Sequence, residues 1–151
     1  MNYKIVNTNY MGYVTQDISH LKFRPHPTMA TIKCDKGTIV VFKNKKCRLM
    51  GVKGPLLSLD ELPLKIHIDR IMSRTITIDY GKPINLYRFT NEFYEPEIFP
   101  ALKLKKYHPM NVNVFTSGKI VCTGVRSKDC DSLVRSIIHD IERSIIHVQE
   151  A

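Results

Sequence analysis

Acidic residues are scarce in this sequence of 151: 14 Asp and Glu stand against 23 Lys and Arg, leaving a formal net charge of +9. Such an excess asks for an anionic partner. Long apolar runs are missing, so no segment is expected to cross a bilayer as a helix and no membrane partner is expected. Cys-x-x-Cys pairs are missing too. Cys34, Cys47, Cys122 and Cys130 lie 13, 75 and 8 residues apart, which argues against a zinc knuckle and for reduced intracellular thiols. The opening Met1-Asn2-Tyr3-Lys4-Ile5-Val6 lacks the basic-then-apolar plan of a secretory leader. No Ser-His-Asp or phosphate-loop pattern occurs, and the six histidines are scattered. Neither catalysis nor a cofactor is therefore expected. At 43% apolar and 25% charged the chain is expected to be globular, as one average domain or two small ones sharing a core.

The positive charge is concentrated in one half. Cut after Arg74, the first part holds 13 basic and 5 acidic residues (+8), and the second holds 10 and 9 (+1). The densest run is Lys43-Asn44-Lys45-Lys46-Cys47-Arg48, with Lys33 and Lys36 upstream. Two readings stay open. It is a solvated hairpin loop, or it is an edge that contacts phosphates by displacing their condensed counterions.

A repeat organises the chain. The segment from Phe42 to Lys53 resembles that from Phe115 to Arg126 at an offset of 73, which superposes Phe42 on Phe115, Lys46 on Lys119, Gly51 on Gly124 and Val52 on Val125. The same offset lands Pro27 on Pro100. Two copies are too few for a solenoid, so the pattern implies one pseudo-symmetric domain with repeats at residues 1–74 and 75–151. Ile39–Phe42 with Cys47–Met50, and Val112–Phe115 with Ile120–Thr123, read as hairpins turning at Asn44-Lys45 and Ser117-Gly118. Further strands are expected over Met29–Cys34 and Leu102–Tyr107, with leading strands at Tyr3–Thr8 and Thr75–Asp79. A helix is expected over Lys128–Val148, where Leu133, Val134, Ile137, Ile138, Ile141, Ile145 and Val148 make one stripe. Its first turn carries Asp129 and Asp131, which suit the helix dipole. Ser58-Leu59-Asp60-Glu61 has capping-box form and leads to Leu64, Ile68 and Ile71, so a second helix is expected there, starting late or kinked at Pro63. His139 and His147, eight apart, read as ordinary boundary residues.

Strand alternation assigns faces. Ile39, Val41, Val112, Val114, Ile120 and Cys122 form one apolar set suited to packing under helices. Val40, Phe42, Arg48 and Met50 oppose it in the first half, and Asn113, Phe115, Val121 and Thr123 in the second. A phenylalanine on the uncovered face of both halves is unusual for free surface. Either another element covers it, or it is a wedge that enters a base step of nucleic acid.

These residues resemble a known family. Tyr94-Glu95-Pro96-Glu97-Ile98-Phe99-Pro100-Ala101-Leu102, followed by Val114-Phe115-Thr116-Ser117-Gly118-Lys119-Ile120-Val121-Cys122-Thr123-Gly124, is similar to the second repeat of the TATA-box-binding-protein core. The match is dense over about 35 residues, and the repeat and helix order extend it to nearly the whole chain. The resemblance implies an α+β saddle, in which two pseudo-symmetric repeats form one curved antiparallel sheet with helices on its convex face. It also implies minor-groove binding with a kink, a mechanism that belongs to the family. Phe99 and Phe115 match the family's wedge pair, Val121 and Thr123 its groove-floor residues, and Glu95, Glu97 and Ile98 its contact for transcription factor IIB. In the first repeat the matching positions hold His26-Pro27, Val40, Phe42, Arg48 and Met50, so one wedge of four is replaced. Lys4 and Thr75 fall nearest the family's central Asn pair.

The function so implied is a transcription initiation factor that binds and bends AT-rich promoter duplex in the minor groove. It would recruit a transcription factor IIB-like protein and the RNA polymerase machinery. Phosphates would be held by the first half through Lys43, Lys45, Lys46 and Arg48, and Lys119 counts among the DNA-binding residues. The alternative is an interaction module of the same fold, a decoy or assembly subunit, without sequence-specific DNA binding. The site of action is the nucleus or, for a viral protein, the host's transcription site. The Lys-, Asn- and Ile-rich composition suggests a viral or protist source over an archaeal one.

Overall fold

The computed structural model of the protein describes residues 2–25, 28–56, 59–89 and 94–150, with side chains as far as residue 145. His26, Pro27 and Ser58 lie outside the described residues. Nine strands and one α-helix occur among them: β1 (Tyr3–Val14), β2 (Arg24–Pro25), β3 (Thr28–Cys34), β4 (Gly37–Phe42), β5 (Lys46–Val52), β6 (Ile66–Asp79), β7 (Ala101–Lys103), β8 (Asn111–Phe115), β9 (Lys119–Val125) and α1 (Cys130–Glu150). The strands hydrogen-bond in the order β2-β3-β4-β5-β1-β6-β9-β8-β7. The chain divides into two compact units: Val6–Arg74, and Thr75 onward together with the first five residues. No helix among the described residues is long and apolar enough to cross a membrane.

In the unit Val6–Arg74, β3, β4 and β5 form an antiparallel meander with Ile32 opposite Ile39, Ile39 opposite Leu49 and Val41 opposite Cys47. Ile39, Val41 and Leu49 are fully buried and form a core with Val14, Cys47, Val52, Leu62, Leu64 and Ile66. That core face is covered by irregular chain, from which Ile18, Leu21, Phe23, Leu56 and Leu59 pack onto it. The helix expected after the 58–61 capping pattern is not formed, and Ile66–Asp79 is a strand instead. Two physical reasons apply. Pro55, Pro63 and the left-handed Gly54 (φ 70°) break the preceding chain. From Leu62 to Ile66 burial alternates in an irregular lead-in, with Pro63 and Lys65 exposed, and the strand itself begins at Ile66. The β-branched Ile66, Ile68, Ile71, Thr75, Ile76, Thr77 and Ile78 favour the same state. The helices expected on one face thus reduce to one.

In the other unit, α1 lays its stripe on the sheet. Val134, Ile137 and Ile141 are fully buried against Ile76, Ile78, Val112, Val114, Ile120 and Cys122. Tyr3, at the start of β1, joins this unit: its ring packs on the core and its hydroxyl donates to Asp131. That bond to a carboxylate pushes the Tyr3 hydroxyl up to about 12. The strand expected over Leu102–Tyr107 ends at Lys103, and a 3-10 turn follows at Lys105–Tyr107. The turn aims the Tyr107 hydroxyl at α1, where it donates to Asp140 at 2.5 Å and lies 2.9 Å from Ser136 Oγ. An in-line strand would forfeit both bonds.

Asp129 caps α1. Its carboxylate accepts from Ser132 N at 3.0 Å and Ser132 Oγ at 2.7 Å, bonds that hold it below the usual carboxylate range. A depressed carboxylate contributes stability that is present above its unfolded value and lost as pH falls through its folded value. Asp129→Ala is therefore expected to lower the melting temperature at pH 7 and to flatten its decline below about pH 4. Asp129→Asn should retain most of the neutral-pH value. Circular dichroism melts at both pH values check this, and an unchanged pH 7 melt for Asp129→Ala would refute the cap's contribution.

Candidate nucleic-acid interface

The two hairpin tips are built alike. After β4, Lys45 adopts a left-handed φ of 71°, its N–H donates to Phe42 O at 2.9 Å, and Lys46 N donates to Asn44 Oδ1 at 3.0 Å. After β8, Gly118 takes φ 92°, its N–H donates to Phe115 O at 3.0 Å, and Lys119 N donates to Ser117 Oγ at 3.3 Å. Left-handed glycines at Gly51 (73°) and Gly124 (72°) recur at the same spacing. The tips differ in one respect. A side chain on Gly118 would collide with the Lys82 carbonyl oxygen, whereas the first tip accommodates a lysine in a conformation that L-residues disfavour. Lys43 and Lys46 are exposed there, Lys45 is half-buried, and Lys119 is exposed at the second tip.

Beyond the tips the strands present two distinct faces. Ile39, Val41, Val112, Val114, Ile120 and Cys122 are buried to 1% exposure or less. Their neighbours Val40, Phe42, Met50, Asn113, Phe115, Val121 and Thr123 are half-buried, and Arg48 is exposed. The face assignment from alternation therefore agrees with the burial in each unit. Burial pushes the Cys47 thiol up to about 11 and that of Cys122 up to about 12, so both are inert at neutral pH.

The three aromatic residues differ in what lies on their rings. Arg48 Cζ sits 5.5 Å from the centroid of Phe42, and Lys103 Nζ sits 5.3 Å from that of Phe99, which is 39% exposed. Among the described residues no cation covers Phe115. It pairs with Ala101 of β7, and Val121 stands opposite Asn113 on the same face. Asn113 Oδ1 is buried with no hydrogen-bond partner among the described residues, a cost that a donor from a ligand could relieve.

The sequence-assigned basic residues do not form one cluster. Lys43, Lys45 and Lys46 sit at the tip, with Lys43 Nζ 5.9 Å from the Phe23 ring. Arg48 lies further along β5, in a cross-strand row with Val40 and Met11. Glu95, Glu97 and Ile98 do come together, in a turn where Ile98 N and Phe99 N both donate to Glu95 O at 3.0 Å. All three are exposed, Ile98 by 78%.

Three residues escaped the sequence reading. Tyr87 is 73% exposed beside that turn, its ring edge-on to Tyr94 at 5.1 Å. The Asn85-Leu86-Tyr87 spacing carries its signal, since Asn85 Oδ1 accepts from Tyr87 N at 3.1 Å. Asn9 accepts from Gly51 N at 2.7 Å and donates to Ser73 Oγ at 3.1 Å, fixing the irregularity between β1 and β5. Arg70 places Nη2 3.5 Å from Met11 Sδ; it was hidden by the expected helix.

Comparison with known proteins bears on the fold and the family. A family model described as Transcription factor TFIID (or TATA-binding protein, TBP) matches residues 69–143. The TATA-box-binding protein of Pyrobaculum aerophilum is 40% identical over 63 residues, covering 40% of this chain and 32% of that protein. Its counterpart from Pyrobaculum calidifontis is 35% identical over 68 residues, covering 43% and 34%. The match thus spans about a third of the length of these curated relatives. A longer match, 29% identical over 132 residues, covers 78% of this chain and 67% of the Pyrococcus horikoshii TATA-box-binding protein. These relatives are archaeal and lend no support to the viral or protist source suggested by composition. Among solved structures, Methanococcus jannaschii TBP superposes with a TM-score of 0.72 at 21% identity, over 95% of this chain and 99% of that one. That likeness establishes the α+β fold, and the family model and the sequence matches tie this chain, over residues 69–143, to the TATA-binding-protein family.

Proposed function

We propose that this protein is a transcription initiation factor that lays the half-exposed faces of its strands in the minor groove of AT-rich promoter duplex and bends it. The observation that carries this reading is Phe115: a large aromatic ring, half-buried and without a cation over it among the described residues, on the same face as Val121 and Thr123, opposite the core. An apolar wedge of this kind unstacks a base step and gains contact with the bent duplex. Phe99 is the second wedge. Residues 1–74 and 75–151 act as two repeats of one unit, a reading supported by the shared construction of their hairpin tips. Glu95, Glu97 and Ile98 take a transcription factor IIB-like protein: two carboxylates beside an exposed apolar side chain suit a basic protein surface and repel phosphate. RNA polymerase joins through that partner, and the protein acts wherever transcription starts, in the nucleus or at a viral transcription site.

A gel shift at physiological salt with a TATA-containing and a scrambled duplex tests the reading. Retardation with preference for the first supports it. Retardation of neither refutes it and favours an interaction module of the same fold. The tip lysines supply sequence-independent grip, so Lys45→Ala combined with Lys46→Ala is expected to flatten the slope of log affinity against log salt by about 1–2. Phe115→Ala should leave that slope unchanged. Equal effects of both variants on slope would contradict the division of labour.

A further inference from the structure

We infer that His67 is a proton-controlled phosphate contact: protonated, it adds one cation to the grip on duplex DNA, and neutral, it withdraws that cation. This rests on the proposed DNA binding and adds a regulation to it. Tyr13 is exposed between the buried Gly12 and Val14, so it points away from the core of the Val6–Arg74 unit. His67 is exposed between the buried Ile66 and the half-buried Ile68. Its ring lies 4.9 Å from that of Tyr13, centroid to centroid, at an angle of 36°. The two side chains therefore share the face opposite the core. Lys46, at the first hairpin tip, stands opposite Tyr13 across β5 and β1. β6 is the next strand beyond β1, which puts His67 two strand spacings from Lys46, about 10 Å. A phosphate strand held by the tip lysines passes within about one Debye length of the imidazole.

The charged neighbours of His67 set the direction of the switch. On its own strand, Asp69 Oδ1 lies 3.6 Å from Nε2, and Lys65 stands two residues before it. On β1 the neighbour is the Tyr13 ring, with Lys46 beyond it on β5. The two nearest arginines are turned elsewhere: Arg48 lies over Phe42, and Arg70 reaches Met11 Sδ. An imidazolium thus finds a carboxylate and a π face beside it. While the ring is neutral, the exposed Asp69 carboxylate opposes an approaching phosphate. Once protonated, the ring donates from both nitrogens, so Nε2 can hold Asp69 while Nδ1 reaches the phosphate. Histidine is the side chain that changes charge near neutral pH, whereas the tip lysines keep theirs. By linkage, a contact made only by the protonated ring takes up a proton on binding, and affinity falls as pH rises.

The test uses the full chain and one AT-rich duplex, titrated by fluorescence anisotropy over a range of salt at about pH 6 and about pH 8. Affinity of the unmodified protein should fall about 5- to 10-fold from the lower pH to the higher. Its slope of log affinity against log salt should be steeper by about 0.9 at the lower pH, the signature of one further phosphate contact. His67→Gln keeps a hydrogen-bonding side chain without the charge, and is expected to show the shallow slope at both pH values. His67→Lys should show the steep slope at both. An unchanged melting temperature for each variant at both pH values shows that the fold is intact. His108→Gln, at another exposed histidine, should behave as the unmodified protein does. A pH dependence that survives His67→Gln would overturn the inference while leaving DNA binding standing. So would an unmodified protein whose affinity and salt slope ignore pH. Failure of the unmodified protein to bind the duplex at either pH would overturn the DNA-binding reading itself, and this inference with it.

Discussion

Replacing Phe99 and Phe115 together by alanine is expected to abolish bending of the duplex while most of its salt dependence survives. In the proposed function the two rings are the wedges of the Thr75-onward unit: one at the end of β8, the other in the turn before β7. Burying a phenylalanine fully gains about 1.5–3 kcal/mol, against an unstacking cost of a few kcal/mol per step. Without the rings the duplex has no reason to accept that cost and stays straight. The contacts that bending brings into reach are lost with it, so affinity should fall on the order of 10- to 100-fold. Energy transfer between dyes at the duplex ends measures the bend directly. Phe115→Ala alone should cost more than Phe99→Ala, because Lys103 already lies over the Phe99 ring and must move aside. A double variant that bends DNA as the unmodified protein does would remove both residues from the mechanism.

The second large effect concerns the one helix. Ile137 has no exposed surface and stands between Val134 and Ile141 on the buried stripe of α1. Truncation to alanine leaves a cavity lined by side chains that the sheet holds in place, and such substitutions cost about 2–5 kcal/mol. With total stabilities of about 5–15 kcal/mol, Ile137→Ala should shift the urea midpoint markedly at an unchanged m-value. The Val6–Arg74 unit has its own core cluster. Hydrogen exchange should therefore report the loss of protection chiefly in β6 from Thr75 onward, β8, β9 and α1. A midpoint shift equivalent to less than about 1 kcal/mol would mean that the stripe repacks around the lost atoms.

Much of this was legible in the sequence because two periodicities are strong. The stripe from Leu133 to Ile145 has only one helical reading, and the alternation Ile39-Val40-Val41-Phe42 has only one strand reading. The turns were legible because Asn44 and Ser117 offer side-chain acceptors two residues before the N–H groups they bind. The failure at residues 58–71 was one of competing signals. A capping-box pattern and a Leu64, Ile68, Ile71 spacing pointed to a helix, while Leu62-Pro63-Leu64-Lys65-Ile66 alternates at period 2. The cap contributes on the order of 1 kcal/mol; Pro63 and the β-branched run that begins at Ile66 outweigh it. Losing that strand hid Arg70. The ring-covering cations on Phe42 and Phe99 could not be read from sequence at all, since each depends on which neighbour a long side chain reaches across a strand pair.

The two hairpin tips share a design but have different mutational futures. At Lys45 the backbone tolerates a side chain in a left-handed conformation, so charge can accumulate there, and Lys45→Gly would relieve strain at the expense of that charge. At Gly118 the Lys82 carbonyl closes the position to every residue with a Cβ. A cation is thus admitted at this position of the first tip and barred at its counterpart in the second. A single main-chain oxygen, acting as a steric stop, keeps that one position uncharged.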